Sequence, residues 1–318
     1  MACDGVIIRA IKASDVSDIT ALWNRVLVRD MITEGRFINW LFLDPDFDPL
    51  ELTGCWVAER AKRIIGFSRA IIRKVPNDGL GFEDRDGWIP VIFVAPEEQR
   101  KGVGTGLMSM MIEFFKNNGR KRVFFCGNTG SAPGYVFPGV DKDAYPSGFA
   151  FFKKWGFVVD HEPVAMSRSI IEVDFQKYHE HAWAEGTNDG VSIQSLTPEY
   201  VLPYLQFMRK WFAGDWNIAA RNQIRAVKFS DLLIALVDGE IGGYCQWDGE
   251  HFGPFGVREG LRGKRLGAKL FLEAMRRIKA ADGRTVWFNW ADPDAARFYN
   301  RFGLEATRHF AIMWLDMK

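Results

Sequence analysis

Apolar positions along the chain follow two alternating rhythms. Val16, Ile19, Leu22, Trp23 and Val26 recur at helical spacing behind Ser14, which the pattern predicts as an N-cap. A second helical patch over 37–43 stops at Asp44-Pro45. Residues 55–59 and 64–73 are rich in strand formers, and the polar turn Arg60-Ala61-Lys62-Arg63 joins them as an antiparallel pair. Pro76-Asn77-Asp78-Gly79 interrupts the chain before a continuous apolar run at 91–95, which reads as a buried strand. Leu107, Met108, Met111, Ile112 and Phe115 then share one helix face, with Gly119 as the stop. A strand at 122–126, an irregular stretch over 127–146, a helix ending at Trp155-Gly156 and strands at 157–159 and 164–170 complete this half. The polar segment 172–190, with His179, His181 and Trp183, reads as a linker.

From Val191 the same order returns. A strand at 191–194 leads to Thr197-Pro198, which starts a helix through Leu202, Leu205, Phe207 and Met208. Two apolar runs, 232–237 and 240–247, flank Asp238-Gly239, a strong hairpin signal. A strand ending in Phe255-Gly256-Val257 precedes a glycine-bearing turn and a helix with Leu266, Leu270, Ala274 and Ile278 on one side. A strand at 285–289, a helix at 293–302 and a strand at 311–315 close the chain. This is an internal duplication, which predicts two domains, 1–171 and 191–318, about the 172–190 linker. Gly104 corresponds to Gly267 at an offset of 163 and Phe152 to Tyr299 at 147, so the first half carries 16 extra residues, within 127–146.

Composition narrows the function classes. Lys and Arg number 41 and Asp and Glu 40, so bulk charge argues against nucleic-acid or membrane-surface partners. No apolar window reaches bilayer-spanning length, and the opening Met1-Ala2-Cys3-Asp4-Gly5 lacks the basic and apolar blocks of a signal peptide. Cys3, Cys55, Cys126 and Cys245 share no paired spacing, so the expectation is reduced thiols in a cytoplasmic protein with no metal site. Twelve Trp and 26 Phe are enough to line a cleft as well as fill a core.

The stretch 91–107 carries the first chemistry. A strand, the turn Gln99-Arg100-Lys101-Gly102 and a helix start follow one another directly. Unpaired N–H groups and the positive dipole end make a helix start a seat for phosphate. Gly102 and Gly104 leave those amides uncovered, and Arg100 and Lys101 add positive charge.

Gln99-Arg100-Lys101-Gly102-Val103-Gly104 resembles the acetyl-CoA signature of the GNAT superfamily of acetyltransferases, Gln/Arg-x-x-Gly-x-Gly/Ala. The stretch Ala296-Arg297-Phe298-Tyr299-Asn300-Arg301-Phe302-Gly303-Leu304 resembles that superfamily's second signature, and residues 149–157 are its first-half counterpart. The resemblance covers nearly the whole chain. It implies an α/β fold of two tandem GNAT-like domains, each a mixed, splayed sheet flanked by helices, similar to tandem members of the superfamily.

Carried over residue by residue, the resemblance implies that acetyl-CoA, as cosubstrate, lays its pyrophosphate on the amides of Lys101, Gly102, Val103, Gly104 and Thr105. In the second half the matching residues are Arg262, Gly263, Lys264, Arg265, Leu266, Gly267 and Ala268. Arg265 stands where the pattern expects its first glycine. The strands Phe93-Val94-Ala95 and Phe255-Gly256-Val257 would pair with the pantetheine arm, one N–H polarising the thioester carbonyl. Asn289, with Asn128 as counterpart, would hold pantetheine or water, or serve only as a turn residue.

Acetyl transfer to an amine needs an acid for the departing thiolate and a base for the nucleophile. The resemblance implies Tyr299 as the acid, whereas Phe152, its first-half counterpart, has no proton to give. Glu250 and His251, on the strand before Phe255, are alternative bases, and Gly253-Pro254 predicts a bulge there. The first half offers only Glu83, Asp84 and Asp86 ahead of an apolar strand. The implied activity is therefore transfer of acetyl to a primary amine of a small molecule, with chemistry in the C-terminal domain. Two alternatives stay open: an acyl-CoA-binding sensor, or catalysis in the N-terminal domain. The aromatic insertion around Tyr135, Phe137 and Tyr145 covers the cleft, lines the acceptor pocket, or packs as a surface loop.

Overall fold

The computed structural model describes residues 5–126, 133–182, 190–212 and 214–317, excepting the side chains of 179–182. Cys3, Asn128 and Trp183, and the side chains of His179 and His181, lie outside the described residues. The chain forms two units. One comprises Met1–Asn77, Gly81–Glu162 and Phe310–Lys318; the other comprises Asp78–Leu80 and Pro163–His309.

In the first unit the elements are β1 (Val6–Ala10), α1 (Val16–Val26), α2 (Glu34–Phe42), β2 (Cys55–Arg60), β3 (Arg63–Ile71), β4 (Asp86–Val94), α3 (Val103–Asn117), β5 (Arg122–Phe125), β6 (Val140–Asp141), α4 (Pro146–Lys154) and β7 (Val158–His161). β1 through β4 pair antiparallel in sequence, and β4 pairs parallel with β5. Helix α2 starts where Thr33 caps the Arg36 N–H. One sheet face buries Phe67 and Phe93 against Trp23 of α1 and Phe37 of α2. Leu107, Met108, Met111 and Phe115 of α3 are also buried.

The second unit begins with β8 (Val164–Ser169) and continues with α5 (Phe175–Ala182), β9 (Val191–Ser195), α6 (Val201–Trp211), α7 (Asp215–Arg225), β10 (Leu232–Val237), β11 (Glu240–Asp248), β12 (His251–Val257), α8 (Leu266–Ala280), β13 (Thr285–Ala291), α9 (Pro293–Asn300) and the first part of β14 (Glu305–Asp316). The β10–β11 hairpin turns at Asp238 and Gly239, both at positive φ (52° and 83°), as its dipeptide predicts. One core lies under α6 and α7 and includes Tyr204, Phe207, Ile234 and Tyr244. Another lies under α8 and includes Phe252, Phe271, Met275 and Tyr299.

Each unit is thus the mixed, helix-flanked sheet that the sequence implies. The unit bounds are drawn elsewhere than 1–171 and 191–318. Strand β8 pairs with β13 and with residues 305–309 of β14, whereas β14 from Phe310 onward pairs with β5, β6 and β7. Each unit therefore contains a strand from the other half of the sequence. Nor is 172–190 wholly a linker. Val173, Phe175 and Tyr178 bury apolar surface against the core under α8, and α5 forms there. Helix α7 has no counterpart in the apolar pattern, because its buried positions include Asn217 and Gln223.

The parallel strands of each unit separate. β4 and β5 pair from Asp86–Arg122 to Ile89–Phe125, and β4 alone runs on to Val94. β12 and β13 pair only at His251–Trp287. Beside each opening the central strand carries a register shift, across Arg69/Ile71 of β3 and Cys245/Trp247 of β11, with Pro90 and Pro254 in the bulged stretches. Proline lacks the N–H that a ladder requires, so it fits where the ladder is already broken.

Candidate active site

Past each fork the chain enters a turn of the same backbone form. Arg100 and Gly102 hold φ of 61° and 85° before α3; Gly263 and Arg265 hold 80° and 62° before α8. The two left-handed positions match one for one, with glycine and arginine exchanged. Arg265 thus fills the expected glycine position without changing the turn, at a cost of about 1 kcal/mol for a Cβ in that region. By helical geometry the first-turn amides of Val103, Gly104 and Thr105, and of Leu266, Gly267 and Ala268, lack intrahelical acceptors. Arg100 and Lys101 are exposed around the first turn; Arg262, Lys264 and Arg265 are exposed around the second. These residues fit a pyrophosphate.

The first signature residue also has a structural task. Gln99 donates from Nε2 to the Val94 carbonyl at 3.2 Å, and Arg262 donates from Nε to the Val257 carbonyl at 3.3 Å. Each ties the turn to the strand end. Gly104 and Gly267 serve packing as well, since a Cβ at Gly267 would stand 3.0 Å from the Phe255 ring and one at Gly104 3.5 Å from Phe151.

Strand-end amides divide by alternation. The Ala95 N–H donates to Ile65 and the Arg258 N–H to Gly242, both within the ladder. Groups of Val94 and Val257 therefore turn toward the fork, whereas Phe93, Ala95 and Gly256 direct theirs to the neighbouring strand. This narrows the expected pantetheine contacts to Val94 and Val257. Gly256 is required for another reason, because a Cβ there would lie 2.4 Å from the Phe212 ring.

Tyr299 is 7% exposed and its ring centroid lies 4.4 Å from Phe288, within a cluster that includes Phe252, Phe271 and Phe298. Burial pushes its phenol well above the ordinary tyrosine range, so it stays protonated at neutral pH. Phe152 makes the equivalent contact with Phe125 at 4.1 Å. The two ring pairs match in spacing and tilt, and differ in the hydroxyl.

The structure separates the two candidate bases. Glu250 lies in the turn before β12, where Oε1 accepts the Arg284 and Thr285 N–H groups at 2.6 and 3.1 Å. That carboxylate caps the start of β13 instead of facing the fork. His251 begins β12, its ring edge-on to Trp287 at 4.6 Å. Burial lowers its pKa, against a smaller opposing effect of Asp248, so the imidazole is neutral at pH 7. Asn289 is half-buried at the irregularity between Phe288 and Ala291 in β13. The described part of the insertion packs on α1, α2 and their connection: Trp40 donates to the Gly134 carbonyl at 2.8 Å, Tyr145 to Asp30 at 3.0 Å, and Arg29 pairs with Asp141 at 3.3 Å.

Two residues beside the bulges escaped the sequence reading. In the first unit Arg69, 1% exposed, donates to the Trp40 carbonyl at 2.9 Å, pairs with Asp44 at 3.2 Å and lies 4.7 Å from the Trp40 ring centroid. Gln246 holds the corresponding place in β11. A lone polar residue inside an apolar strand was the available signal. Among the described residues no group of three metal-ligating side chains occurs, and no helix is long and apolar enough to cross a membrane.

Residues 19–135 match the Acetyltransferase (GNAT) family. No curated protein matches the chain. Among solved structures, it is similar to the GCN5-related glucosamine N-acetyltransferase region of a fungal multi-domain GH3 beta-N-acetylglucosaminidase, at 18% identity and a TM-score of 0.79. That alignment covers 98% of this chain but 38% of the fungal one. A GCN5-related N-acetyltransferase from Sphaerobacter thermophilus aligns at 14% identity and a TM-score of 0.70, over 99% and 96% of the two chains. A tandem GNAT protein from the clavulanic acid biosynthesis pathway aligns at 16% identity and 0.66, over 98% and 99%. At these identities the likeness is one of fold.

Proposed function

From a chain that carries a GNAT acetyltransferase domain over residues 19–135 and folds as a tandem GNAT protein, we propose that it transfers acetyl from acetyl-CoA to a primary amine of a small molecule, in its second unit. The observation that carries this reading is the phenol of Tyr299 where the first unit has Phe152. The fungal region of similar fold is named for glucosamine, which makes an amino sugar a reasonable first acceptor to try.

In this reading the α8 amides, with Lys264 and Arg265, seat the pyrophosphate, and the Val257 N–H orients the arm along the open edge of β12. The neutral amine attacks the thioester carbonyl, whose developing negative charge a strand N–H stabilises. As the carbon–sulfur bond breaks, Tyr299 gives its proton to the thiolate and recovers one from solvent. Glu250 is committed to β13, so His251, acting through water, takes the proton the amine loses. The first unit binds acetyl-CoA without turning it over. Its Cys126 offers no route to covalent transfer, because burial raises the thiol well above its ordinary range.

The test is CoA release from acetyl-CoA over a panel of primary amines, with Tyr299→Phe beside the parent chain. Amine-dependent release that Tyr299→Phe abolishes supports the reading. Tight acetyl-CoA binding without release for any amine would favour a sensor.

A further inference from the structure

We infer that the acceptor sits on the α6–α7 face of the second unit's fork, and that it is a hydroxylated amine without carboxylate or phosphate, of the amino-sugar class. Tyr204, Tyr244 and Gln246 hold it there. The inference rests on the proposed acetyl transfer in the second unit.

Four buried oxygens on this face have no hydrogen-bond partner among the described residues: Asn217 Oδ1, whose amide nitrogen donates to Asp78, and the trio Tyr204 Oη, Tyr244 Oη and Gln246 Oε1. A buried polar atom left unpaired costs free energy, and most buried polar groups in folded proteins are paired. The three belong together. The Tyr204 and Tyr244 rings stand 5.7 Å apart, and Gln246 follows two residues after Tyr244 on β11, so both β11 side chains point to one face. Tyr244 lies opposite Gly256, over which the Phe212 ring sits, which fixes the face as that of α6 and α7. Gln246 stands at the register shift opposite the Gly253-Pro254 stretch, beside the place where β12 and β13 part.

The chemistry of the lining selects the ligand. The buried polar side chains from α6, α7 and β11 are uncharged, namely Tyr204, Asn217, Gln223, Tyr244 and Gln246, and the nearby cations Arg209 and Arg221 are paired with Asp78. Such groups suit hydroxyls and amines better than a carboxylate or phosphate, which would call for a cation. Phe212 and Trp216 stack at 5.5 Å and 20°, both rings also packed on Tyr244, and Trp216 is 38% exposed. An exposed aromatic face beside uncharged hydrogen-bonding groups matches the apolar and hydroxylated faces of a sugar ring.

The first unit supplies the contrast. Its matching positions are Phe67 and Arg69, and the Arg69 guanidinium is already held by the Trp40 carbonyl and Asp44. A Cβ on Gly134 would lie 3.3 Å from Arg69 and 2.5 Å from Ile71, so the insertion closes over the same place. The first unit fills with its own groups the positions that the second leaves unpaired.

The experiment uses D-glucosamine and L-lysine as acceptors, with Gln246→Leu and Tyr244→Phe, followed by steady-state kinetics, calorimetry and melting. The expected result is preference for D-glucosamine, with its KM raised at least tenfold in each variant and the acetyl-CoA KM unchanged. Melting temperature should hold or rise, since each change deletes an unpaired buried oxygen. Unchanged D-glucosamine KM in both variants overturns the seat, and preference for L-lysine overturns the acceptor class. Calorimetry separates this from the catalytic reading. D-Glucosamine binding that Gln246→Leu removes, without acetyl transfer in the parent, supports the seat and overturns the transfer; absence of binding overturns the seat.

Discussion

Gln99 reaches back to the Val94 carbonyl, locking the turn before α3 to the end of β4. Arg262 makes the same bond to Val257 in the second unit. The residue that opens the signature thus acts as a brace, which explains why glutamine and arginine are interchangeable there: both can donate to a carbonyl at that reach. Arg262→Gln should keep acetyl-CoA affinity within about twofold. Arg262→Leu should raise Kd about fivefold, corresponding to roughly 1 kcal/mol for one hydrogen bond. Isothermal titration with acetyl-CoA checks the pair; equal affinities for Gln and Leu would remove the brace.

The hydroxyl of Tyr299 is all that distinguishes its aromatic contact from that of Phe152. Tyr299→Phe keeps the ring and its packing, so stability should change by less than about 1 kcal/mol. Loss of a general acid should lower kcat about 100-fold. Because burial raises the phenol pKa, the parent's alkaline limb below pH 10 should not come from Tyr299. A kcat unchanged by Tyr299→Phe would remove the acid role.

His251 gives a pH-dependent term with a definite sign. Its folded pKa lies below the ordinary value near 6.5, because burial disfavours the cation. The unfolded chain therefore binds the proton more readily. The contribution is fully present above about pH 6.5 and is lost as pH falls below it. Melting temperature should fall on acidification from pH 7.5 to 5, and His251→Gln should flatten that slope. A slope equal to the parent's would place the titration elsewhere.

Much of this was legible because duplication showed the element order twice. The hairpin at Asp238-Gly239, the two helix starts and the bulge at Gly253-Pro254 follow from local rules of φ and missing donors. Strand partnership does not. β8 and the end of β14 each carry an apolar pattern that any half-buried sheet edge accepts, so the pattern is silent on which unit takes them. Glu250 shows a related limit: position on a strand does not reveal that its carboxylate turns to the Arg284 and Thr285 amides. Arg69 and Gln246 stand in largely apolar strands, and it is their burial beside the forks, which sequence alone does not show, that makes them informative.

The Arg69–Asp44 pair should be structural. Removing one partner of a buried pair costs about 3 kcal/mol, because the other charge stays desolvated. Arg69→Met should lower the melting temperature by several degrees, and adding Asp44→Leu should recover part of the loss. Acetyl transfer per folded molecule should be unchanged. A loss of kcat at full folding would return the chemistry to the first unit.

Arg265 tests which turn seats the phosphates. Glycine there relieves a left-handed Cβ, worth about 1 kcal/mol, but loosens the unfolded chain by a comparable amount. Arg265→Gly should therefore leave stability nearly unchanged. It also makes the second turn conformationally freer while deleting a cation beside the α8 amides. If arginine contributes to the seat, acetyl-CoA Kd should rise about tenfold at low salt, and by less at 0.5 M salt, where screening is stronger. Arg100→Ala in the first turn should leave the kinetic KM for acetyl-CoA unchanged, since that unit is assigned no turnover. Titrations at two salt concentrations, set beside KM values, decide the matter. An Arg265→Gly chain with the parent's KM and an Arg100→Ala chain with a raised one would move catalysis to the first unit.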